Sequence, residues 1–168
     1  IEPIKTKISL NGGYQWKRQT TLQNDNQQKY TWKSWAFSPY LTSQPCKYVE
    51  LAYNGMFAKT YLSTKYQNNS YLSQQHKVSL KLMPFDGFTF DTSADIVKNE
   101  LTKDVSKTMS LLDMGLSYRK KAMKISFDIR NILNQRQYAY TIYNSVNTFT
   151  YNYLLRGREC VCTVKLTM

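Results

Sequence analysis

The residues able to do chemistry are few. His76 is the only histidine in 168 residues, so no imidazole pair is available for a proton relay or a zinc centre. It falls where a polar loop is expected to meet a strand, which reads as a solvated loop histidine. Cys160 and Cys162 stand two apart, close to a C-x-C metal pair, yet no His or Cys cluster completes a ligand set. Two cysteines on one strand face are also poorly placed for a mutual disulfide. They read as small apolar fillers, and with Cys46 they are too few for a disulfide scaffold. Asp91 and Asp95 share a face two pleats apart without a nameable acid–base partner, and no Gly-rich phosphate loop is present. The chain is therefore read as non-enzymatic, with no catalytic residue, metal site or cofactor. Its candidate contact residues are aromatic instead: Tyr138, Tyr140, Tyr143, Phe149, Tyr151 and Tyr153, gathered between residues 135 and 157. Such rings can stack on sugars or grip apolar cargo, or pack on one another.

The elements that must carry these residues show a period of two. Met123, Ile125, Phe127 and Ile129 alternate with Lys124, Ser126, Asp128 and Arg130. Cys160, Cys162, Val164, Leu166 and Met168 oppose Glu159, Thr163, Lys165 and Thr167. Leu112, Met114, Leu116 and Tyr118 oppose Asp113, Gly115, Ser117 and Arg119, and Val78, Leu80 and Leu82 oppose Lys77, Ser79 and Lys81. Phe88, Phe90, Ala94 and Ile96 oppose Thr89, Asp91, Ser93 and Asp95. Each run is a strand with one apolar and one polar face. Three further strands are read near residues 4–16, where Gly12 and Gly13 suggest a bulge or bend, and across 29–41 and 47–62. The total is eight strands, an all-β chain, as its abundant Tyr, Thr and Ser also suggest.

Three connections read as tight, at Ser43–Cys46, Pro84–Gly87 and Arg119–Lys121. Four read as long and polar: Gln23–Gln28, Thr64–Gln75, Asn99–Lys107 and Asn134–Gly157. They alternate along the chain, so an up-and-down antiparallel meander places every short turn at one end, as in transmembrane β-barrels. Alternation alone leaves open whether the apolar face meets lipid or the inside of a lipocalin-like soluble barrel holding a small apolar ligand. Two features lean towards a membrane. The polar face carries both signs of charge, as a hydrated lumen would. Aromatic residues also gather near strand ends, at Tyr14 and Trp16, Tyr30 and Trp32, Phe85 and Phe88, Tyr118 and Tyr138. No apolar stretch approaches the ~18–20 residues of a spanning helix.

The C-terminal third has a distinctive order. A strand ending Leu116-Ser117-Tyr118-Arg119 is followed by a tight turn and Ile125-Ser126-Phe127-Asp128-Ile129-Arg130-Asn131-Ile132-Leu133-Asn134. A Tyr-rich loop and Leu155-Arg156-Gly157-Arg158-Glu159 then open an amphipathic last strand. This resembles the closing strands of TonB-dependent receptors of the Gram-negative outer membrane. Those strands carry an Asn-Leu-Phe-Asn signature, here Asn131-Ile132-Leu133-Asn134, and usually end in an aromatic residue, here Met168. The specific likeness covers about residues 107–168. It implies a single unit, residues 1–168, corresponding to the last eight strands of a larger barrel, with the plug domain and the TonB-contacting region outside it. It also implies outer-membrane localisation and a role in nutrient uptake. The partners implied are outer-membrane lipid and lipopolysaccharide, the barrel-assembly machinery, TonB through an N-terminal region, and a surface lipoprotein. A small standalone eight-stranded membrane barrel fits the same length.

The formal charge of +12, from 23 Lys and Arg against 11 Asp and Glu, needs a partner class. Nucleic acid is disfavoured because the cations are spread over the strands rather than massed in one groove. Anionic solutes or lipopolysaccharide phosphates suit the basic residues expected at the outer end: Lys29, Lys65, Lys103, Lys107, Arg136, Arg156 and Arg158.

Overall fold

A computed structural model describes residues 5–23, 26–65, 68–102, 105–143 and 148–167. Ile4, Lys103 and Met168 lie outside the described residues. Among those described, the chain forms ten strands: β1 (Lys5–Gln23), β2 (Asn26–Cys46), β3 (Val49–Thr64), β4 (Asn68–Leu82), β5 (Phe88–Thr102), β6 (Val105–Lys120), β7 (Met123–Arg130), β8 (Gln137–Tyr143), β9 (Thr148–Leu154) and β10 (Glu159–Leu166). Eight of them make one antiparallel sheet in the order β1-β2-β3-β4-β5-β6-β7-β10, and β8 and β9 form a separate hairpin. The expected meander of eight is present, and the polar segment from Asn134 to Gly157 contains two further strands.

Three expectations about connections change. The chain turns after β2 at Lys47-Tyr48, past the Ser43–Cys46 segment, whose last residue still pairs with Val49 across a bulge. Gly12 and Gly13 pair in register with Phe37 and Ala36, so β1 runs through them without a bulge. The stretches 64–75 and 99–107 are mostly strand, because β4 begins at Asn68 and β5 reaches Thr102. Their Asn, Gln, Lys, Ser and Thr residues hide this from periodicity. Where both faces of a strand are wet, no apolar half remains to alternate.

The register gives the sheet a regular slant. Glu50, Lys81, Asp91, Gly115, Asp128 and Val161 lie in one row of directly opposed partners. Glu50 is the second residue of β3, Asp91 the fourth of β5 and Asp128 the sixth of β7. With the short turns in one plane, the row climbs one residue per strand. At a rise of about 3.3 Å per residue and a spacing of about 4.8 Å, that stagger tilts the strands by about 35°. Tilts of this size characterise the walls of β-barrels.

The same register sorts every side chain. One face carries Ile8, Leu10, Tyr14 and Trp16; Trp35, Phe37 and Leu41; Leu51, Tyr53 and Phe57; and, further along the sheet, Val78, Leu80, Phe88, Phe90, Leu112, Leu116, Ile125, Phe127, Val164 and Leu166. Over the stretches 8–16, 35–43, 49–57, 76–82, 88–96, 108–118, 123–129 and 160–166 this face holds no Lys, Arg, Asp or Glu. Every charged residue within those stretches, from Glu50 and Lys81 to Asp128 and Lys165, is on the other face. A nine-residue run such as Phe88–Ile96, tilted by about 35°, spans about 24 Å. That matches the apolar band of roughly 25 Å on membrane barrels.

Among the described residues no second layer covers this band. Ile8 is 74% exposed, Val164 60% and Phe127 42%. The chain exposes 12326 Å², where a compact chain of 19.7 kDa exposes about 8,600 Å². The residues of β1 and β10 that face away from their partners are sheet edges among the described pairings.

Candidate functional site

The site that the aromatic residues build is the β8–β9 hairpin, and its position follows from the Asn131-Ile132-Leu133-Asn134 signature. Asn131 ends β7 in a left-handed conformation with φ 50°, which Asn tolerates better than most residues. The residue is 8% exposed, and its side chain ties three segments together. The Nδ2 group donates to the carbonyls of Gln135 and Arg156, both at 2.8 Å, and Oδ1 accepts from the Gln135 amide at 2.8 Å. The Asn131 amide donates to Asp113 Oδ1 on β6 at 2.7 Å, and the Ile132 amide donates to the Leu112 carbonyl at 2.8 Å. From the returning chain, the Arg158 amide donates to Asn134 Oδ1 at 3.2 Å, and its guanidinium donates to the Ile132 carbonyl through Nε at 3.0 Å. The motif is thus a clamp. It closes the base of the hairpin where the chain leaves β7 and re-enters β10.

The clamp aims the hairpin back over the sheet. β8 packs against β5 and β6. Beneath it, Val97, Asn99 and Met109 are buried, whereas Ile96 on the opposite face is 40% exposed. Val97, Asn99 and Met109 belong to the polar face, so the hairpin covers that face and not the apolar band. Here the polar face turns apolar, with Val97 paired to Met109 and Asp95 to Leu111. Asn99 Oδ1 accepts from Ser73 Oγ on the neighbouring strand at 2.6 Å.

Of the hairpin's own residues, Ala139 is buried while Phe149, Tyr151 and Tyr153 are exposed. The small-residue side lies against the sheet, and the rings point away from it. Tyr138 pairs with Tyr153 in the register, their rings stacked with centroids 6.3 Å apart, and Tyr151 stacks on Tyr153 at 6.5 Å. Tyr140 pairs with Tyr151 and Tyr143 with Thr148 along the backbone; the side chains of Tyr140 and Tyr143 lie outside the described ones. The structure therefore brings Tyr138, Tyr151 and Tyr153 into one ladder with Phe149 next to it. A strand pair achieves this because alternate residues of both strands fall on one face.

Other expected positions fall differently. His76 is not in a loop: it stands within β4 on the apolar face, its Nδ1 2.9 Å from the Tyr53 hydroxyl and its ring edge-on to Phe57 at 5.1 Å. The polar loop expected before it is strand. Tyr30 and Trp32 do not join the aromatic residues of the apolar face, because the register places them on the polar face opposite Gln19 and Lys17. Tyr30 donates its hydroxyl proton to Gln19 Oε1 there, and Lys17 sits over the Trp32 ring at 5.9 Å. Tyr14 and Trp16 do lie on the apolar face, with Trp35 and Tyr61 beside them through Tyr14–Trp35 and Trp16–Lys33–Tyr61 pairings. Phe85 and Phe88 stack at 4.9 Å at the short-turn end. Cys160 and Cys162 are exposed on the apolar face.

Sequence reasoning placed Asp91 with Asp95 but missed its nearer neighbour. Asp91 and Asp128 lean over Gly115 from either side, within 2.9 Å of where a Cβ would stand. A glycine opposite two acids in adjacent amphipathic strands was the available signal. No protein-family model matches the chain, and no curated protein or solved structure matches it.

Proposed function

We propose that this chain is the wall of an outer-membrane β-barrel of the TonB-dependent receptor type, contributing barrel strands and an extracellular aromatic hairpin to nutrient uptake without catalysing a reaction. The observation that carries the reading is the segregation of charge. A bare face about 24 Å tall without a single Lys, Arg, Asp or Glu suits lipid and little else. A soluble chain would leave there an apolar patch far beyond the few hundred Å² that monomers expose.

The long-strand end supports the orientation. The charges that do appear on the apolar face all lie outside the band: Arg18, Lys29, Lys33, Lys59, Lys98 and Glu100 in the strand extensions, and Lys120 alone at the short-turn end. Arg18 lies over Trp16 at 5.6 Å and Lys59 over Tyr61 at 5.3 Å. Aromatic rings flanked by cations fit the level of anionic headgroups, such as lipopolysaccharide phosphates. β2, at 21 residues, is about twice the 9–11 residues a crossing needs, so it projects beyond the membrane. The hairpin hangs from that end over the polar, lumen-side face. Its stacked Tyr rings offer flat apolar surfaces with hydroxyl edges, which suit a glycan or an aromatic cargo.

The deciding experiment is refolding of the chain in detergent and in plain buffer, followed by electrophoresis with and without boiling. Heat-modifiable migration in the detergent sample alone supports a lipid-facing band. A monomer that melts cooperatively in plain buffer overturns it and favours a soluble carrier.

A further inference from the structure

At the short-turn end of the polar face, three cations stand side by side. Arg119 pairs directly with Lys124, and Lys124 with Lys165, across β6, β7 and β10. Directly opposed like charges destabilise a sheet, and side chains on neighbouring strands are only about 5 Å apart at Cβ. The ion pairs Lys81–Glu50 and Arg156–Glu159 involve none of the three. The adjacent row supplies hydroxyls: Thr89, Ser117, Ser126 and Thr163 are successive partners on the same face. Arg119, Lys124, Thr89 and Ser117 line a cleft of about 910 Å³ that the β4–β5 turn walls on its other side, where Asp86 also faces it. A line of cations backed by a line of hydroxyl donors is chemistry for oxygen anions.

We propose that this row is a binding site for a small polyvalent oxyanion, a compound carrying two or more phosphate or carboxylate groups. A bound dianion bridges two adjacent cations and turns their repulsion into attraction. A monovalent ion neutralises one of them and leaves the rest of the row strained. The cations belong to three strands that neighbour one another only in the folded sheet, since β10 reaches β7 past the whole hairpin, so the site exists only once the sheet has formed. The site does not depend on which solvent meets the apolar face.

The test is titration calorimetry on the full chain, refolded in a zwitterionic detergent or in whichever medium folds it. Tripolyphosphate and citrate are the probes, and chloride at equal ionic strength is the control. Saturable binding near one-to-one is expected, tighter for tripolyphosphate if the natural ligand is a phosphate and for citrate if it is a carboxylate. Lys124→Gln, in the middle of the row, should weaken binding at least tenfold, and Lys165→Gln on the exposed edge strand should do so severalfold. Lys77→Gln, on the same face in a distant row, should leave it within twofold. Without ligand, Lys124→Gln should raise the melting temperature by removing the central repulsion. Absence of saturable binding at millimolar probe, or an equal loss in Lys77→Gln, overturns the proposal; the latter would show general charge attraction only. Both results are independent of heat-modifiable migration, which tests the membrane reading alone.

Discussion

Removing the Asn131 side chain isolates what holds the aromatic hairpin in place. Asn131→Ala deletes three hydrogen bonds of 2.8 Å, each contributing about 1 kcal/mol net. It also leaves alanine at φ 50°, a conformation that costs a non-glycine residue about 1 kcal/mol or more. Together these weaken the clamp by about 3–4 kcal/mol. An isolated two-stranded hairpin is marginal in water, so the clamp and the packing of β8 on β5 and β6 supply most of what fixes it. The expected result is local: amide exchange across residues 137–154 accelerates by a few hundredfold, since 1.4 kcal/mol corresponds to a factor of ten. Exchange across β3 and β4 stays unchanged. Asn131→Gly separates the terms, because glycine accepts the dihedral freely while losing the same bonds. It should recover about 1 kcal/mol. Hydrogen-exchange mass spectrometry on the refolded chain reads both. Protection of 137–154 within threefold of wild type in Asn131→Ala would refute the clamp.

Three further outcomes follow from the same geometry. Phe127→Arg puts a charge on the apolar face and should cost roughly 2–4 kcal/mol of folding in lipid, whereas Ser126→Arg, one residue away on the polar face, should cost under about 1 kcal/mol; equal effects on denaturant midpoints would sink the face assignment. Single-tryptophan variants in vesicles of lipid brominated near the headgroup should show quenching of Trp16 and Trp35, with Trp32 spared on the polar face. Gly87→Ala should destabilise the chain by about 3 kcal/mol or more, measured by urea unfolding, because Gly87 has φ 80° and a Cβ there would stand 2.1 Å from the Arg119 carbonyl oxygen. An unchanged midpoint would mean that the β4–β5 turn rearranges freely.

Much of the sheet was legible in the chain alone. From Phe88 to Ile96, Thr92 excepted, and from Met123 to Ile129 every second residue is apolar, and a strand has no other way to bury or wet one face consistently. The meander and the turn at Pro84–Gly87 follow from that pattern together with turn residues at its ends. Alternation fails in the strand extensions: residues 17–21, 26–29 and 73–75 are polar on both faces, so they carry no apolar period although they pair in register. The hairpin escaped for a related reason. β8 and β9 carry aromatics along one side only as partners, and no local period sets the register that pairs Tyr138 with Tyr153.

What tertiary structure alone decided is adjacency. The sequence contains Asp91, Gly115 and Asp128, or Arg119, Lys124 and Lys165, as separate residues of separate strands. Only the stagger of one residue per strand puts two carboxylates over one glycine and three cations in one row. The Asn131 motif was recognisable as a signature from its residue order, yet its bonds to Gln135 and Arg156 close a loop across 25 residues. Period two determines which face a side chain joins; register determines its neighbours, because a slip of a single residue would reverse every face in the strand.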